Sequence, residues 1–389
     1  MGLKCALSAP LLGGGVMLCL LGCSGVGKTI PKATAMKDQG RPSIPWISIA
    51  ADQVKWRMGL LATRAPGKGP ILEWSATSAT LAFQGTGLRM ELLDLGDSHW
   101  EECAGNTLEV IVDDKDTIDH VIDRDAPLLE VGPLADGRHT VRVAKRTEAL
   151  CGRVALGGVE VHGRMLEPPP EAAKKLLFVG GSVTCGWGVM DNDPDVAFRS
   201  GSESGTASYA AEAAKRLGAD YASVCVSGRG LLWNWDRKTR GRLPEVWKNG
   251  TLQASSQQAT DPSPDAVILE LGMLELQDGE PEQASFTRAY VDFVMDIHRR
   301  WPNAWIVALD APALDDEKLA TLRGFLIPVD QWVRSRYKVK NFSRLFLTQQ
   351  GTLGYGGGGH PNRDQSVMNG EELADHLRSK IGSTLARKQ

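Results

Sequence analysis

The stretch LLFVGGSVTCGWG, residues 176–188, decides how the second half of this chain is read. An apolar run, LLFVG, leads into Gly181, and Ser182 then stands on a glycine-flanked strand-to-helix turn. Small neighbours there let a hydroxyl and backbone N–H groups face a ligand. Four more apolar runs follow: YASVCV (221–226), AVILEL (266–271), WIVALD (305–310) and RLFLT (344–348). They alternate with helical segments, the plainest of which places Phe286, Tyr290, Phe293, Val294, Ile297 and Trp301 on one face at spacings of three and four. Such alternation predicts a parallel sheet with helices on both sides. Ligand sites in these sheets lie beyond the carboxyl ends of the strands.

Three features fall at those ends. The first is Ser182. The second is SGRG (227–230), where Gly228 can bring a backbone N–H into the same space, and the third is GYGGGGHPN (354–362), where His360 ends a glycine-rich loop ahead of a final helix from about Gly370. Of seven histidines, His99, His120, His139 and His162 belong to the first half and His298 and His376 to helices, which leaves His360 alone at a strand end. Singly, Ser182 reads as a helix N-cap and His360 as a surface histidine. Jointly they predict a nucleophile and its general base. Trp187, Trp233 and Trp235 follow the first two blocks, and each reads equally as a platform for a sugar ring or as core packing.

The first half has another rhythm. From Trp46 to about Gly163, short β-type runs such as RMELLDLG, TLEVIVDD and HTVRVAKRTE alternate with turn residues, the pattern of an all-β sandwich. Pro168, Pro169 and Pro170 make a stiff linker. The expected layout is a leader (1–22), a polar tether (23–45), a β-sandwich domain (46–165) and an α/β domain (171–389).

The leader contains a decoy. LLGCSGVGKT (20–29) matches the phosphate-binding pattern G-x-x-x-x-G-K-[ST] from Gly22 to Thr29, but such a loop needs a helix of several turns after it. Pro31 and an unpatterned polar stretch follow instead. Lys4, an apolar run to Leu21 and Gly22-Cys23 have the layout of a secretory signal with a lipid-attachment cysteine. No nucleotide partner is expected, and WIVALD is read as an ordinary strand. The net charge of −3 over 389 residues, with no long charged block, argues against nucleic acid or an anionic membrane surface. Of seven cysteines, Cys103, Cys151, Cys185 and Cys225 remain beyond Cys23, with no zinc-type C-x-x-C pair among them. A Cys103–Cys151 disulfide and two buried thiols fit the sequence equally well.

Taken in order, GGSVTCGWGV, SGRG and GYGGGGHPN resemble the blocks of the GDSL, or SGNH, hydrolases. More narrowly they resemble carbohydrate esterase family 2, whose N-terminal module also contains a segment like LADGRHTVRVAKRTEALCG (134–152). The resemblance implies an N-terminal jelly roll before a flavodoxin-like SGNH domain of strand order 2-1-3-4-5. It also implies Ser182 as nucleophile, His360 as base, and the N–H groups of Ser182 and Gly228 in the oxyanion hole. Acetylated carbohydrate would be the substrate, without metal or other cofactor. Several departures stand out. Gly181 replaces the usual Asp, Gly358-Gly359 an Asp-Trp pair, and Gly357 occupies the place of a triad acid. In the third block, Gly272-Met273-Leu274-Glu275 stands for G-T-N-D, so Leu274 replaces the Asn donor. The expectation is an exported lipoprotein anchored through Cys23 that deacetylates a polysaccharide or oligosaccharide. Its rival is a catalytically impaired carbohydrate-binding lipoprotein.

Overall fold

The apolar runs of the second half become one sheet. The computed structural model describes residues 45–65, 67–99, 101–103, 105–247, 251–252, 261–277 and 279–382. Its parallel strands are β1 (Lys174–Gly180), β2 (Ala219–Cys225), β3 (Ala266–Glu270), β4 (Trp305–Leu309) and β5 (Phe342–Leu345), in the order β2-β1-β3-β4-β5. Side chains of a strand point alternately to its two faces, and here both faces are covered. Leu177, Val179, Val267, Leu269, Ile306 and Ala308 join Phe286, Tyr290 and Phe293 of the helix Gln283–Arg300 in one apolar cluster. Leu176, Phe178, Ala266, Ile268, Val307 and Leu309 join the helices Tyr209–Leu217 and Arg363–Arg378 in another.

The register lines up the strand ends. Gly180 pairs with both Cys225 and Glu270, and Glu270 pairs with Leu309. The segments after β1, β2 and β3 therefore leave the sheet side by side.

Two boundaries differ from expectation. The fifth strand ends at Leu345, short of the run that reached Thr348, because side chains take the next amides: Asp310 Oδ1 accepts from Leu347 N at 3.0 Å and Glu372 Oε2 from Thr348 N at 2.9 Å. The last helix begins at Arg363, capped by Asn362 Oδ1 accepting from Gln365 N at 2.9 Å. Gly370 is inside it, where a Cβ would come within 2.6 Å of Glu212 Cβ on the neighbouring helix. That glycine marks a close helix contact and not a start.

The first half is a ten-stranded antiparallel sheet. Its long strand Ser78–Asp94 pairs on one edge with Val154–Leu166, and on the other first with Gly137–Lys145 and then with Leu128–Val131. Changing partner midway wraps the sheet round one cluster that includes Leu81, Phe83, Leu88, Met90, Val110, Val141 and Val159. Leu60, Leu61, Trp74 and Ala149 of this half belong to the first apolar cluster of the parallel sheet, so the halves share a core. All described residues fall in one compact unit, Ile44–Gln389. The leader, Cys23 and the tether up to residue 44 lie outside the described residues, and so does the phosphate-loop look-alike. Among the described residues no helix is long and apolar enough to cross a membrane.

Two disulfides are present. Cys103–Cys151, which the sequence left open, is formed, and Cys185–Cys225 ties the end of the helix that follows β1 to the last residue of β2. The second closes a loop of 40 residues, worth about 4 kcal/mol in chain entropy. The double variant Cys185→Ala/Cys225→Ala should lose roughly that much unfolding free energy in denaturant titrations against the wild type.

Candidate active site

Beyond β1 the chain turns at Gly181 and starts the four-residue helix Ser182–Cys185. The loop carrying His360 arrives from far along the sequence. It is held where two glycine segments touch: Gly357 N donates to Gly188 O at 3.0 Å, and a Cβ on Gly188 would lie 2.3 Å from Gly357 O. Only glycine allows that approach. The result is a contact of 2.8 Å between His360 Nε2 and Ser182 Oγ. On its other side, His360 Nδ1 lies 3.1 Å from Gly358 O. A carbonyl only accepts, so Nδ1 carries the proton and Nε2 presents its lone pair to the hydroxyl. Trp187 stacks on the imidazole at 5.3 Å and 21°. Burial favours the neutral ring and moves its pKa down to about 4, against a smaller upward pull from the Gly358 and Gly357 carbonyls.

A small pocket opens beside Ser182, lined also by Gly228, Arg229, Leu274 and Glu275. Among the described residues, neither the Ser182 amide nor the Gly228 amide has an acceptor in the protein. Two free N–H donors next to a basic imidazole and a hydroxyl are the parts needed to stabilise an oxyanion. Gly228 is doubly required, with φ at 73° and a notional Cβ 2.6 Å from Trp235 Cδ1. Leu274 faces the same pocket from the helix Met273–Gln277 and brings no donor.

The loop after β2 is held by two buried acids that sequence reasoning missed. Glu148, from the antiparallel half, accepts from Ser227 N at 2.8 Å through Oε2. Glu275 Oε1 accepts from Leu231 N at 2.7 Å and Leu232 N at 2.8 Å. Glu148 faces Glu203, each leaves its Oε1 without a donor, and burial raises the pKa of both, Glu203 the more strongly. The buried Lys145 lies close to both carboxyls and draws their pKa values down against that burial. Glu148, Cys185 and Glu203 come close enough to suggest a cation site, but the Cys185 sulfur is bonded to Cys225. The clue was the charged KRTE at the end of the apolar run in HTVRVAKRTE. Beneath Ser182, Glu270 Oε2 accepts from Gly181 N at 3.3 Å and Thr184 Oγ1 at 3.2 Å, and burial pushes its pKa up to about 8. Asp310, the acid of WIVALD, is spent on Arg323 Nε (2.7 Å) and Leu347 N (3.0 Å).

A larger cleft of about 710 Å³ adjoins this centre, lined by Trp187, Trp235, His99, Leu150, Arg229 and Leu252 among others. Trp235 is 70% exposed. The structure thus brings Ser182, His360, Gly228, Trp187 and Trp235 together. Trp233 is not among the cleft residues; it is half-buried, with the Arg237 guanidinium 4.9 Å from its ring.

Comparison with known proteins finds similarity to carbohydrate esterases. The family description "Carbohydrate esterase 2 N-terminal" matches residues 59–170. The cellulase/esterase CelE of Acetivibrio thermocellus is 26% identical over 318 residues, 81% of this chain, and the chain spans only 38% of that protein. The acetylxylan esterase / glucomannan deacetylase of Cellvibrio japonicus is 27% identical over 314 residues, covering 77% of this chain and 85% of that protein. A family two carbohydrate esterase from Clostridium thermocellum, solved with cellohexaose, shares the fold with a TM-score of 0.76 at 24% identity, over 84% of this chain and 99% of that one. The chain is related to carbohydrate esterase family 2.

Two measurements check the site itself. The His360 imidazole should titrate by NMR with a midpoint near 4 and not near 6.5, its proton taken up only as the pH falls through that value. Glu148→Ala should speed amide exchange at Ser227 by about tenfold or more, while Glu148→Gln, which keeps an acceptor, should change it little.

Proposed function

We propose that this protein is a serine esterase that removes acetyl groups from a polysaccharide or oligosaccharide, working through Ser182 and His360. The observation that carries the reading is the 2.8 Å Ser182–His360 contact with Nδ1 turned to a carbonyl. The related acetylxylan esterase and glucomannan deacetylase support the acetyl ester as substrate.

The mechanism starts from the neutral imidazole. His360 Nε2 takes the Ser182 proton as Oγ attacks the ester carbonyl, and the N–H groups of Ser182 and Gly228 receive the charge that develops on its oxygen. The imidazolium is steadied at Nδ1 by the Gly358 carbonyl where a triad would use a carboxylate. It returns the proton to the departing sugar hydroxyl. Water, activated by the same nitrogen, then clears the acyl-enzyme. Trp187 and Trp235 flank the cleft as sugar platforms. The antiparallel half is a jelly-roll domain whose Glu148 holds the oxyanion loop in register, and Cys23 carries a lipid anchor after export.

Leu274 favours a second reading. With an apolar side chain in place of an amide, the hole lacks a donor of a kind worth about 3 kcal/mol, which suits a carbohydrate-binding protein with residual chemistry. Hydrolysis of 4-nitrophenyl acetate and of acetylated xylo-oligosaccharides separates the two. Ser182→Ala and His360→Ala should each cost at least ~10³-fold in kcat, and the double variant should be little worse than either. Leu274→Asn should raise kcat by up to ~10²-fold over Leu274→Ala. A wild type without turnover that gains it only with Asn would support the binding protein. For the anchor, Cys23→Ala should abolish metabolic lipid labelling and leave unprocessed precursor.

A further inference from the structure

The chain as a whole is slightly acidic, with a net charge of −3, yet the loop that brings Arg229 and Trp235 to the cleft is strongly basic. Between 229 and 242 stand Arg229, Arg237, Lys238, Arg240 and Arg242, opposed within the segment only by Asp236. Some of this charge is used internally. Lys238 pairs with Asp236 at 2.8 Å, Arg242 with Glu245 at 2.8 Å, and Arg237 lies over Trp233. Arg229 and Arg240 differ: among the described residues neither side chain has a hydrogen bond or close ion pair, and only Asp236 and Glu245 respectively attract them from a greater distance.

Arg229 has the more informative position. It follows Gly228 directly and lines both the small pocket at Ser182 and the large cleft with Trp187 and Trp235. Its guanidinium lies along the outer loop, with Nη1 3.4 Å from where a Cβ of Gly241 would be. That loop is fixed in place. Buried Asn234 accepts from Arg237 N (2.8 Å) through its carbonyl, donates from its amide N to Lys238 O (2.8 Å), and donates from Nδ2 to Arg240 O (2.8 Å); Gly241 N donates to Glu245 Oε2 at 2.7 Å. The two acids lining the small pocket, Glu270 and Glu275, are buried and engaged by backbone amides. No acid lines the larger cleft among the described residues.

We propose that this loop selects an acylated oligosaccharide that carries uronic-acid carboxylates, with Arg229 receiving a carboxylate on a sugar next to the one that presents its ester to Ser182. The inference rests on the esterase reading above and adds the charge of the substrate to it. A planar guanidinium fits a carboxylate with two parallel N–H donors, and the fit is tighter than for a lysine. The exposed Trp235 indole beside it offers a face for the ring that bears the carboxylate. Arg240, farther along the same loop, adds longer-range attraction of the kind that salt screens. A solvated basic rim would account for Arg240 alone, but not for an unpaired arginine inside the cleft next to the oxyanion glycine.

The test compares acetylated galacturonic-acid oligosaccharides with acetylated neutral xylo-oligosaccharides of equal length. The wild type should show the higher kcat/KM on the acidic substrate at low salt, with the advantage shrinking as salt rises from about 20 to about 300 mM. Arg229→Gln should reduce the acidic-to-neutral ratio by about tenfold, Arg229→Lys by less, and Arg240→Gln by about two- to threefold. Matching melting curves would assure that the variants are folded. A ratio of one or below in the wild type, or a ratio untouched by Arg229→Gln, overturns the proposal. If no acetate ester is turned over at all, the esterase reading fails separately. Calorimetry on the Ser182→Ala protein then decides: Arg229-dependent preference for the acidic oligosaccharide upholds the inference, and equal binding of the two overturns it.

Discussion

The carboxylate of Glu148 against the Ser227 amide is the contact on which the rest of this site depends. It comes from the antiparallel half, crosses to the parallel half, and holds the residue before Gly228 at 2.8 Å. Glu275 grips the far end of the same loop through Leu231 and Leu232. Between those two clamps Gly228 keeps a left-handed backbone with its N–H turned to the pocket and free. A hole built from backbone amides is only as well defined as the loop that carries them, because donors that must reorganise during reaction lose most of their advantage. The first half of the chain is therefore part of the framework that holds this candidate site and not a detached appendage.

Holding a loop with buried acids raises an electrostatic difficulty. Isolated carboxylates out of water are costly, and this site contains Glu148, Glu203, Glu270 and Glu275 within its walls, all nearly inaccessible. Burial raises the pKa of all four, against the pull of backbone amides on Glu148, Glu270 and Glu275, and Lys145 lies opposite the Glu148–Glu203 pair. Arg229 lines both the small pocket and the larger cleft, where no acid lies among the cleft's described lining residues.

His360 also shows how an imidazole can be oriented without an acid. The Gly358 carbonyl fixes the tautomer, Trp187 fixes the ring plane, and the Gly188–Gly357 contact fixes the loop. A carbonyl dipole stabilises an imidazolium less than a carboxylate does. Leu274, on the pocket wall beside Ser182, adds an apolar side chain and no donor.

What the sequence determined by itself was local and periodic. The five apolar runs and the Phe286–Trp301 stripe carried the period of strand and helix, so the parallel sheet and its clearest helix were readable, and the placing of Ser182, Gly228 and His360 at strand ends followed. Their roles gained force from an ordered set of blocks, a resemblance rather than a calculation. Tertiary structure decided what depends on distance through space. Nothing in the spacing of Glu148 and Ser227 announces that they touch, 79 residues apart, nor that Cys185 and Cys225 bond. Gly370 looked like a punctuation mark and is a contact point, because the sequence shows a missing side chain but not the helix that needs the room. Trp187, Trp233 and Trp235 were indistinguishable in one dimension, and the structure separated them by laying two against the cleft and one beneath Arg237. Hydrophobic period is written along the chain, whereas the pairing of polar groups is set only when the folded backbone brings a donor within about 3 Å of an acceptor.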